Sequence, residues 1–129
     1  MKIYGLGTDI VNIEKFSTIF KKNKLFKTRI FSSNETSYCL KKKNYLQCFS
    51  KRFAAKEAFS KALGLGISMG LKFKEIEVIN DKFGKPNINI SGNSKKVIDK
   101  LLKKKKFKTM LSLSDDNPYA VATVIILTK

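Results

Sequence analysis

The chain contains 129 residues, 43% of them hydrophobic, and its 27 Lys and Arg residues against 10 Asp and Glu residues give a net charge of +17. This length predicts one domain over residues 1–129, and the charge predicts a polyanionic partner such as an acidic protein, a nucleic acid, an anionic membrane or a phosphorylated small molecule. The sequence contains no histidine, which excludes His-ligated zinc sites and Ser-His-Asp catalysis.

The first strand and the helix behind it follow from the spacing of apolar residues. The run over residues 2–11 predicts a strand, with Ile3, Leu6 and Ile10 as core candidates. Asn12 has a side chain suited to cap a helix, and apolar residues recur at helical spacing after it. We therefore expect a strand followed directly by an amphipathic helix that carries lysines on its polar side.

Two further segments lead to the longest helix. Residues 25–31 mix apolar and basic side chains and predict a connector. Ser32 and Glu35 have the spacing of a capping box, which predicts a short helix behind them. The longest helix is predicted over residues 45–63, because Ala, Leu, Glu and Lys favour helices and two glycines follow this run.

The second half of the chain begins with a predicted β-hairpin. After an exposed loop expected at residues 67–70, apolar residues predict strands over 73–79 and 87–91. The residues between these strands are rich in Asp, Gly and Pro, which favour turns. The two strands are therefore expected to pair with each other.

A helix and a second hairpin complete the predicted fold. Ser94 is expected to cap the helix, which ends in a run of lysines. Strands are predicted over residues 107–114 and 119–128, with Asp115 in a plain turn between them. This order of elements predicts an α+β fold with a mainly antiparallel sheet and a long central helix.

The cysteines and the apolar runs bear on the cellular compartment. Cys39 and Cys48 both lie in helical patterns, so we expect buried, reduced thiols. No signal-peptide pattern opens the chain, and no apolar run is long enough to cross a bilayer. These features predict a cytoplasmic protein.

Residues 53–66 form the most informative stretch of the sequence. On a helix, Glu57 and Lys61 lie four residues apart and therefore one above the other. A second side of the helix carries small residues suited to close packing, interrupted by one phenylalanine: Ala54, Ala55, Ala58, Phe59 and Ala62. A surface ion pair would explain the Glu57 and Lys61 spacing without any function.

The first strand contains two glycines and one carboxylate in an apolar run. Gly5 and Gly7 would weaken a strand, and glycines in strands often mark a close approach by a ligand or another backbone. Asp9 is costly to bury unless it is paired or binds a metal. A turn or helix-cap role for Asp9 is the alternative.

Taken together, Gly7-Thr8-Asp9 and the pattern F-x-x-K-E-A-x-x-K-A-x-G-x-G over residues 53–66 resemble the small 4′-phosphopantetheinyl transferases. The resemblance extends over nearly the whole chain. It implies transfer of the 4′-phosphopantetheine group from coenzyme A to a serine of apo acyl carrier protein, with release of adenosine 3′,5′-bisphosphate, in fatty acid biosynthesis. It also implies the α+β fold, Mg²⁺ as cofactor, and a homotrimer with active sites between neighbouring subunits.

The resemblance assigns roles to three residues. Asp9 and Glu57 match the family positions that hold the metal, and Mg²⁺ often takes only one or two carboxylates from a protein. Lys61 would lie against the phosphates as a point charge, which completes the expected catalytic set. The serine nucleophile also needs a base, and this could be either carboxylate or a metal-bound water.

Further residues resemble the family segments that bind coenzyme A. Glycine backbones can approach phosphate oxygens closely, and Arg52 could bind a phosphate in bidentate fashion. A helix stop, a hairpin turn and a solvated arginine would explain the same residues without a ligand. The candidates for coenzyme A binding are Arg52, Lys61, Gly64, Gly66, Gly84, Lys85 and Pro86.

The basic first helix suggests how an acidic carrier protein would be captured. Lys15, Lys22 and Arg29 align roughly with basic residues of the family and are the candidates for carrier-protein binding. One departure concerns Asp115, which follows Ser112-Leu113-Ser114 where many family members have a histidine. Any nucleotide contact that this histidine would make is therefore in doubt.

Two alternatives compete with the enzyme. A nucleic-acid-binding module would account for the charge, but the sequence lacks the aromatic, zinc-finger and helix-turn-helix motifs typical of such modules. A catalytically inactive interaction protein could share the fold, although Asp9, Glu57 and Lys61 are all present.

Overall fold

The computed structural model describes residues 1–67 and 70–129, so residues 68 and 69 of the loop expected at 67–70 lie outside the described residues. The predicted α+β fold with a long central helix is confirmed. In chain order the elements are β1 (Lys2–Asn12), α1 (Ile13–Lys22), α2 (Lys24–Ile30), α3 (Ser33–Leu40), α4 (Tyr45–Leu63), a 3₁₀ turn (Phe73–Glu75), β2 (Ile76–Asn80), β3 (Pro86–Ile90), α5 (Gly92–Leu101), β4 (Phe107–Asp116) and β5 (Tyr119–Thr128).

Two antiparallel sheets flank the central helix. The larger sheet has the strand order β1-β5-β4, and the smaller one is the β2-β3 hairpin. Both predicted hairpins are confirmed, and β5 is the middle strand of the larger sheet. The inner face of β5 is fully buried at Ala120, Ala122, Val124 and Ile126, and this sheet packs against α4. None of the helices in residues 1–67 and 70–129 has the length and hydropathy needed to cross a membrane.

The contact between β1 and α4 is backbone against backbone. A Cβ atom added at Gly5 would overlap the backbone oxygen of Ala62, and one added at Gly7 would overlap that of Ala58. Both alanines are buried, as expected for the small-residue side of the helix. The glycines therefore allow β1 to lie closer to α4 than any strand with side chains on this face could.

The core candidates named for the first strand are wrong. Ile3, Leu6 and Ile10 are 71%, 65% and 63% exposed. Successive strand residues point to opposite faces, so Leu6 and Ile10 lie opposite to the face of Gly5 and Gly7, which is the one against α4. A register irregularity between Ile3 and Gly5 places Ile3 on the outer face as well. The large apolar side chains are consequently turned outward, where nothing in the described chain covers them.

A buried ion pair joins α4 to α3 and to the smaller sheet. The Nζ atom of Lys56 lies 2.7 Å from Oε1 of Glu35, and both side chains are fully buried. Lys56 also donates hydrogen bonds to the carbonyl oxygens of Phe73 at 2.8 Å and Ile76 at 2.5 Å. Glu35 accepts a hydrogen bond from the amide of Val78 at 3.0 Å. Burial lowers the pKa of Lys56, opposed by the adjacent Glu35 carboxylate.

The capping box predicted from Ser32 and Glu35 is confirmed. The Ser32 hydroxyl accepts a hydrogen bond from the Glu35 amide at 3.2 Å, and the Glu35 carboxylate accepts one from the Ser32 amide at 3.1 Å. Glu35 therefore caps α3 and pairs with Lys56 through the same carboxylate. The sequence pattern predicted the first role and gave no sign of the second.

Several local predictions are wrong. The connector expected over residues 25–31 is helix α2, whose first turn is capped by the side chain of Asn23. The strand expected from residue 73 begins at Ile76, after the 3₁₀ turn. Ser94 is not a cap, because it lies inside α5, where its amide donates to the carboxylate of Glu75 at 3.0 Å. The carboxylate of Glu75, which lies outside the helix, thus accepts a hydrogen bond from the first turn of α5, as a capping side chain was expected to do.

The cysteine prediction is also corrected. Cys39 and Cys48 are buried, as expected, but they are joined by a disulfide and are not free thiols. The break in helical pattern between α3 and α4 turns the chain back, so that the two Cα atoms lie 5.5 Å apart, within bonding range. Spacing along the sequence could not reveal this approach.

The buried pair yields a stability prediction. Lys56→Met removes one partner and leaves the Glu35 carboxylate buried without its cation, so the free energy of unfolding should fall by about 3–5 kcal/mol. The exposed pair Lys95–Asp99 on α5, with atoms 2.7 Å apart, is the matched control. Lys95→Met should change stability by about 0.5 kcal/mol or less. Chemical denaturation of both variants measures this, and similar losses would contradict the role given to the buried pair.

Candidate active site

Three predicted site residues meet where β1 crosses α4. Asp9 lies two residues beyond Gly7 and so shares the strand face that contacts the helix. Its Oδ1 atom is 2.9 Å from the Nζ atom of Lys61, which also donates a hydrogen bond to the Thr8 carbonyl at 3.1 Å. Glu57 lies one helical turn before Lys61. Asp9, Glu57 and Lys61 thus lie together in the structure, and their catalytic and metal-binding roles stay predictions.

The two carboxylates of this site repel each other. Partial burial raises the pKa of Glu57, and the negative charge of Asp9 raises it further, while Lys61 lowers it. Asp9 and Glu57 both line a cavity of about 330 Å³, together with Lys15, Phe16 and apolar neighbours. We call this the carboxylate cavity. A cation placed between the carboxylates would relieve their repulsion.

The donors of the carboxylate cavity fit a hard divalent cation. Mg²⁺ prefers oxygen ligands, keeps several waters, and commonly binds through one or two carboxylates plus substrate phosphates. Within residues 1–67 and 70–129, no three His, Cys, Asp or Glu residues are grouped closely enough to hold a metal ion. Asp9 and Glu57 therefore match a site that a phosphate-bearing ligand and water would complete.

A second cavity, of about 590 Å³, has a strongly basic lining. We call it the cation cavity. The four cationic side chains come from the first half of α4 and the turn before it, while Gly84 lies in the hairpin turn and Pro86 begins β3. The cations are Lys42, Lys43, Lys51 and Arg52.

Arg52 lines the cation cavity and is buried. Its side chain is only 3% exposed and contacts the ring of Tyr38, with the guanidinium carbon 4.4 Å from the ring centroid. Its two terminal nitrogens donate hydrogen bonds to Asn80 and to the sulfur of Cys48. Its Nε atom is buried without a hydrogen-bond partner in the described chain. The solvated helix arginine considered from the sequence is thus excluded, and burial lowers the pKa of Arg52.

The remaining candidates for coenzyme A binding, which are Lys61, Gly64, Gly66 and Lys85, line neither of these two cavities. Gly64, with a φ of +84°, ends α4, and Gly66 donates its amide to the Ser60 carbonyl at 3.3 Å. The amide of Lys85 donates to Asp81 within the hairpin turn. In one chain, therefore, only Arg52, Gly84 and Pro86 of this set line the cation cavity.

The candidates for carrier-protein binding are exposed on two adjacent helices. Lys15 lies on α1 at the edge of the carboxylate cavity. Lys22 ends α1, and Arg29 lies on α2. The three residues are therefore available to a partner that approaches this cavity.

Sequence reasoning missed several residues of the cation cavity. Lys42 and Lys43 belong to a lysine run between α3 and α4, and the sequence pattern gave no sign of a role for them. Asp115 was expected in a plain turn, but it lies on β4, and its Oδ1 atom is 2.9 Å from Nζ of Lys51. The turn itself is shorter than predicted, because β4 extends through Asp116 and β5 begins at Tyr119.

Comparison with known proteins identifies related chains. The model of the 4′-phosphopantetheinyl transferase superfamily matches residues 5–124. A holo-[acyl-carrier-protein] synthase of Pelagibacter ubique is 48% identical, and the alignment covers 100% of both chains. The crystal structure of a holo-[acyl-carrier-protein] synthase from Neisseria meningitidis is 32% identical with a TM-score of 0.86, covering 97% of this chain and 98% of that one. The synthase from Bacillus anthracis in complex with CoA (3′,5′-ADP) is 33% identical with a TM-score of 0.79, covering 98% and 97%.

The raised pKa of Glu57 predicts how stability depends on pH. Because the folded protein favours the protonated carboxyl, the stability gained from protonation is present below the unfolded pKa and is lost as the pH rises through the folded pKa. Glu57→Gln should therefore melt at a higher temperature than the parent at neutral pH. The difference should shrink toward about pH 4, where an unfolded glutamate also protonates.

Thermal unfolding of both proteins across this pH range measures the effect. Glu14→Gln, which removes an exposed carboxylate from the first turn of α1, is the control and should not be stabilised. A Glu57→Gln variant that melts at or below the parent temperature at neutral pH would contradict the repulsion described here.

Proposed function

The chain belongs to the 4′-phosphopantetheinyl transferase superfamily, and we propose on this basis that it transfers the 4′-phosphopantetheine group of coenzyme A to a serine of apo acyl carrier protein. It is thus a transferase whose second product is adenosine 3′,5′-bisphosphate and whose holo carrier protein serves fatty acid biosynthesis. The full-length identity to a named synthase supports this function. The complex of the B. anthracis synthase with CoA (3′,5′-ADP) supports it as well. The observation that carries the proposal is the meeting of Asp9, Glu57 and Lys61.

The chemistry explains why such a constellation is needed. The serine oxygen attacks the phosphorus atom next to the pantetheine arm, and the bond from this phosphorus to the bridging oxygen of the pyrophosphate breaks. The bridging oxygen leaves with the adenosine bisphosphate, so negative charge grows on the leaving phosphate. Fixed positive groups near these oxygens stabilise the transition state more than the ground state. The serine proton passes to a base, a role open to either carboxylate or to water.

We assign Asp9 and Glu57 as the residues that hold Mg²⁺. Two half-buried carboxylates that repel each other gain from a shared cation, as the raised pKa of Glu57 indicates. When bound, the metal supplies charge neutralisation at the pyrophosphate oxygens. Lys61 has a side chain that is 51% exposed, so it can turn from Asp9 toward a phosphate without first being freed from the core.

We assign the cation cavity to the nucleotide part of coenzyme A. Arg52 offers a buried Nε atom without an acceptor, which an anionic oxygen would satisfy. Gly84 and Pro86 line the same cavity, and Lys85 lies between them. Gly64 and Gly66 follow Lys61 by about one helical turn, so their backbone amides are retained as candidates for phosphate contact.

A homotrimer would bring the two kinds of cavity together. Among the described residues of one chain, the carboxylate and cation cavities share no lining residue. Along the outer face of the larger sheet, Leu6, Ile125 and Met110 lie in one cross-strand row, and Leu6 and Met110 are 65% and 54% exposed. We propose that neighbouring copies cover this apolar face and place the carboxylate cavity of one subunit beside the cation cavity of the next.

The exposed cations of α1 and α2 suit an acidic carrier protein. Lys15 borders the carboxylate cavity, so a carrier held there would present its serine close to Asp9 and Glu57. Lys22 and Arg29 would extend the basic surface away from the cavity.

Two further predictions from the sequence stand as proposals. Residues 1–129 act as one domain, and the protein is cytoplasmic.

The reaction itself is tested with purified protein. Incubation with coenzyme A, Mg²⁺ and apo acyl carrier protein should add one phosphopantetheine group to the carrier, as read by mass spectrometry. A carrier whose acceptor serine is replaced by alanine is the control and should stay unmodified. If the carrier gains no mass while a nucleic acid is bound tightly with strong salt dependence, the proposed function is wrong and the nucleic-acid alternative returns.

The Lys61→Ala variant tests whether Lys61 acts in catalysis or only stabilises the fold. Loss of one preorganised cation should lower kcat by roughly 10²–10³-fold. Stability should change by less than about 1 kcal/mol, because the ion pair with Asp9 is half exposed on the lysine side. Lys96→Ala, which removes an exposed lysine of α5, is the control and should leave kcat unchanged. A Lys61→Ala variant with parental kcat and a lowered melting temperature would assign the lysine to structure alone.

Reversing the charge of Lys15, Lys22 and Arg29 together tests carrier capture. The KM for carrier protein should rise and depend less on salt, because steering by these charges acts over the Debye length of about 8–10 Å. The KM for coenzyme A should stay nearly constant. A reversal of Lys74, Lys96 and Lys100 changes the net charge equally and is the control. Equal effects of the two triple variants would assign the effect to net charge and not to this surface.

A further inference from the structure

The cation cavity contains one carboxylate among its four cations. Among the described lining residues, Asp115 is the only acidic one. It lies near the end of β4 and shares the strand face of Leu111 and Leu113, which also line the cavity. Its side chain therefore points toward α4, where Lys51 meets it at 2.9 Å.

The cations of this cavity differ in whether a carboxylate neutralises their charge. Lys51 has its charge matched by Asp115, and the two side chains are 30% and 32% exposed. Arg52 is buried, its terminal nitrogens contact the neutral side chains of Asn80 and Cys48, and its Nε atom has no hydrogen-bond partner in the described chain. An anion that entered the cavity would gain Arg52, but it would meet the charge of Asp115 and compete with it for Lys51.

We propose that Asp115 limits how tightly the cation cavity binds the nucleotide half of coenzyme A and of the product, and so favours product release. This inference rests on the proposed function. Asp115 acts in two ways, by its own negative charge and by engaging Lys51. A cavity with four unopposed cations would bind the nucleotide more tightly in every state, and such uniform binding lowers KM without raising kcat.

The chemistry of the product explains why such a limit is useful. Before transfer, the phosphate next to adenosine is bridged to the second phosphorus and carries about one negative charge. After the bond to the second phosphorus breaks, this phosphate is a monoester with a charge of about −1.5 to −2 at neutral pH. The product is consequently held more strongly by cations than the same half of the substrate, and its release would limit turnover.

Titration calorimetry with adenosine 3′,5′-bisphosphate tests the inference on the full-length protein. Asp115→Asn should lower the Kd roughly tenfold, equivalent to about 1.4 kcal/mol. It should also lower the KM for coenzyme A, strengthen product inhibition and leave kcat equal or reduced. Lys51→Met should raise the Kd. In the Lys51→Met background, Asp115→Asn should have a smaller effect, because the ion pair is already absent.

Asp116→Asn is the matched control. Asp116 follows Asp115 on the same strand, on the opposite face and outside the cavity lining, and its change alters the net charge equally. Its effect on the Kd should be clearly smaller. Asp115→Ser is a second variant in case the asparagine perturbs the strand end, and melting temperatures confirm that each variant is folded.

Three results would overturn the inference. Weaker nucleotide binding in both Asp115 variants would show that the carboxylate accepts a hydrogen bond from the ligand. Equal tightening in the Asp115→Asn and Asp116→Asn variants would show an effect of net charge alone. If the parent protein neither binds the bisphosphate nor modifies the carrier protein, the proposed function fails first, and the inference fails with it.

Discussion

The direct contact between the backbones of β1 and α4 is the constraint on which the site depends. Gly5 and Gly7 have no side chains, so the strand lies against the carbonyl oxygens of Ala58 and Ala62. This closeness carries Asp9 to within 2.9 Å of Lys61. The same contact turns the large apolar residues of β1 to the outside and leaves an uncovered apolar face. This one contact therefore positions Asp9 beside Lys61 and also exposes the apolar face that we propose as an assembly surface.

Helix α4 carries structure and chemistry on adjacent residues. Lys56 points into the core and joins Glu35 and the carbonyl oxygens before and within β2, while Glu57 points toward β1. Burying a charged pair is costly unless its hydrogen bonds are complete, and here the lysine has three acceptors. The pair fixes the rotation of α4 against α3 and the smaller sheet. A fixed rotation is what keeps Glu57 and Lys61 facing β1.

The chain has two cavities of opposite electrostatic character. The carboxylate cavity concentrates negative charge and suits a hard cation, whereas the cation cavity concentrates positive charge and suits phosphate. In the homotrimer that we propose, a substrate that carries a pyrophosphate and a further phosphate would use both. The ion pair of Lys51 with Asp115 moderates the second environment, so the cavity is basic without being saturated with free cations.

The sequence by itself determined the local features of this protein and the family to which it belongs. The bounds of α4, the capping box of Ser32 and Glu35 and the two hairpins could be predicted, because each depends on residue type and short spacing. That Asp9 belongs with the motif of Glu57 and Lys61 followed from the family resemblance, since 52 residues separate Asp9 from Lys61. The matching family model covers residues 5–124.

Only the tertiary structure decided which face of β1 is buried and that Lys56 points into the core. It also decided the ion pair of Asp115 with Lys51 and the disulfide between Cys39 and Cys48. These features join residues that are distant in the sequence or separated by a turn. Their contacts depend on how whole elements pack, and no local pattern of hydrophobicity or propensity records that packing.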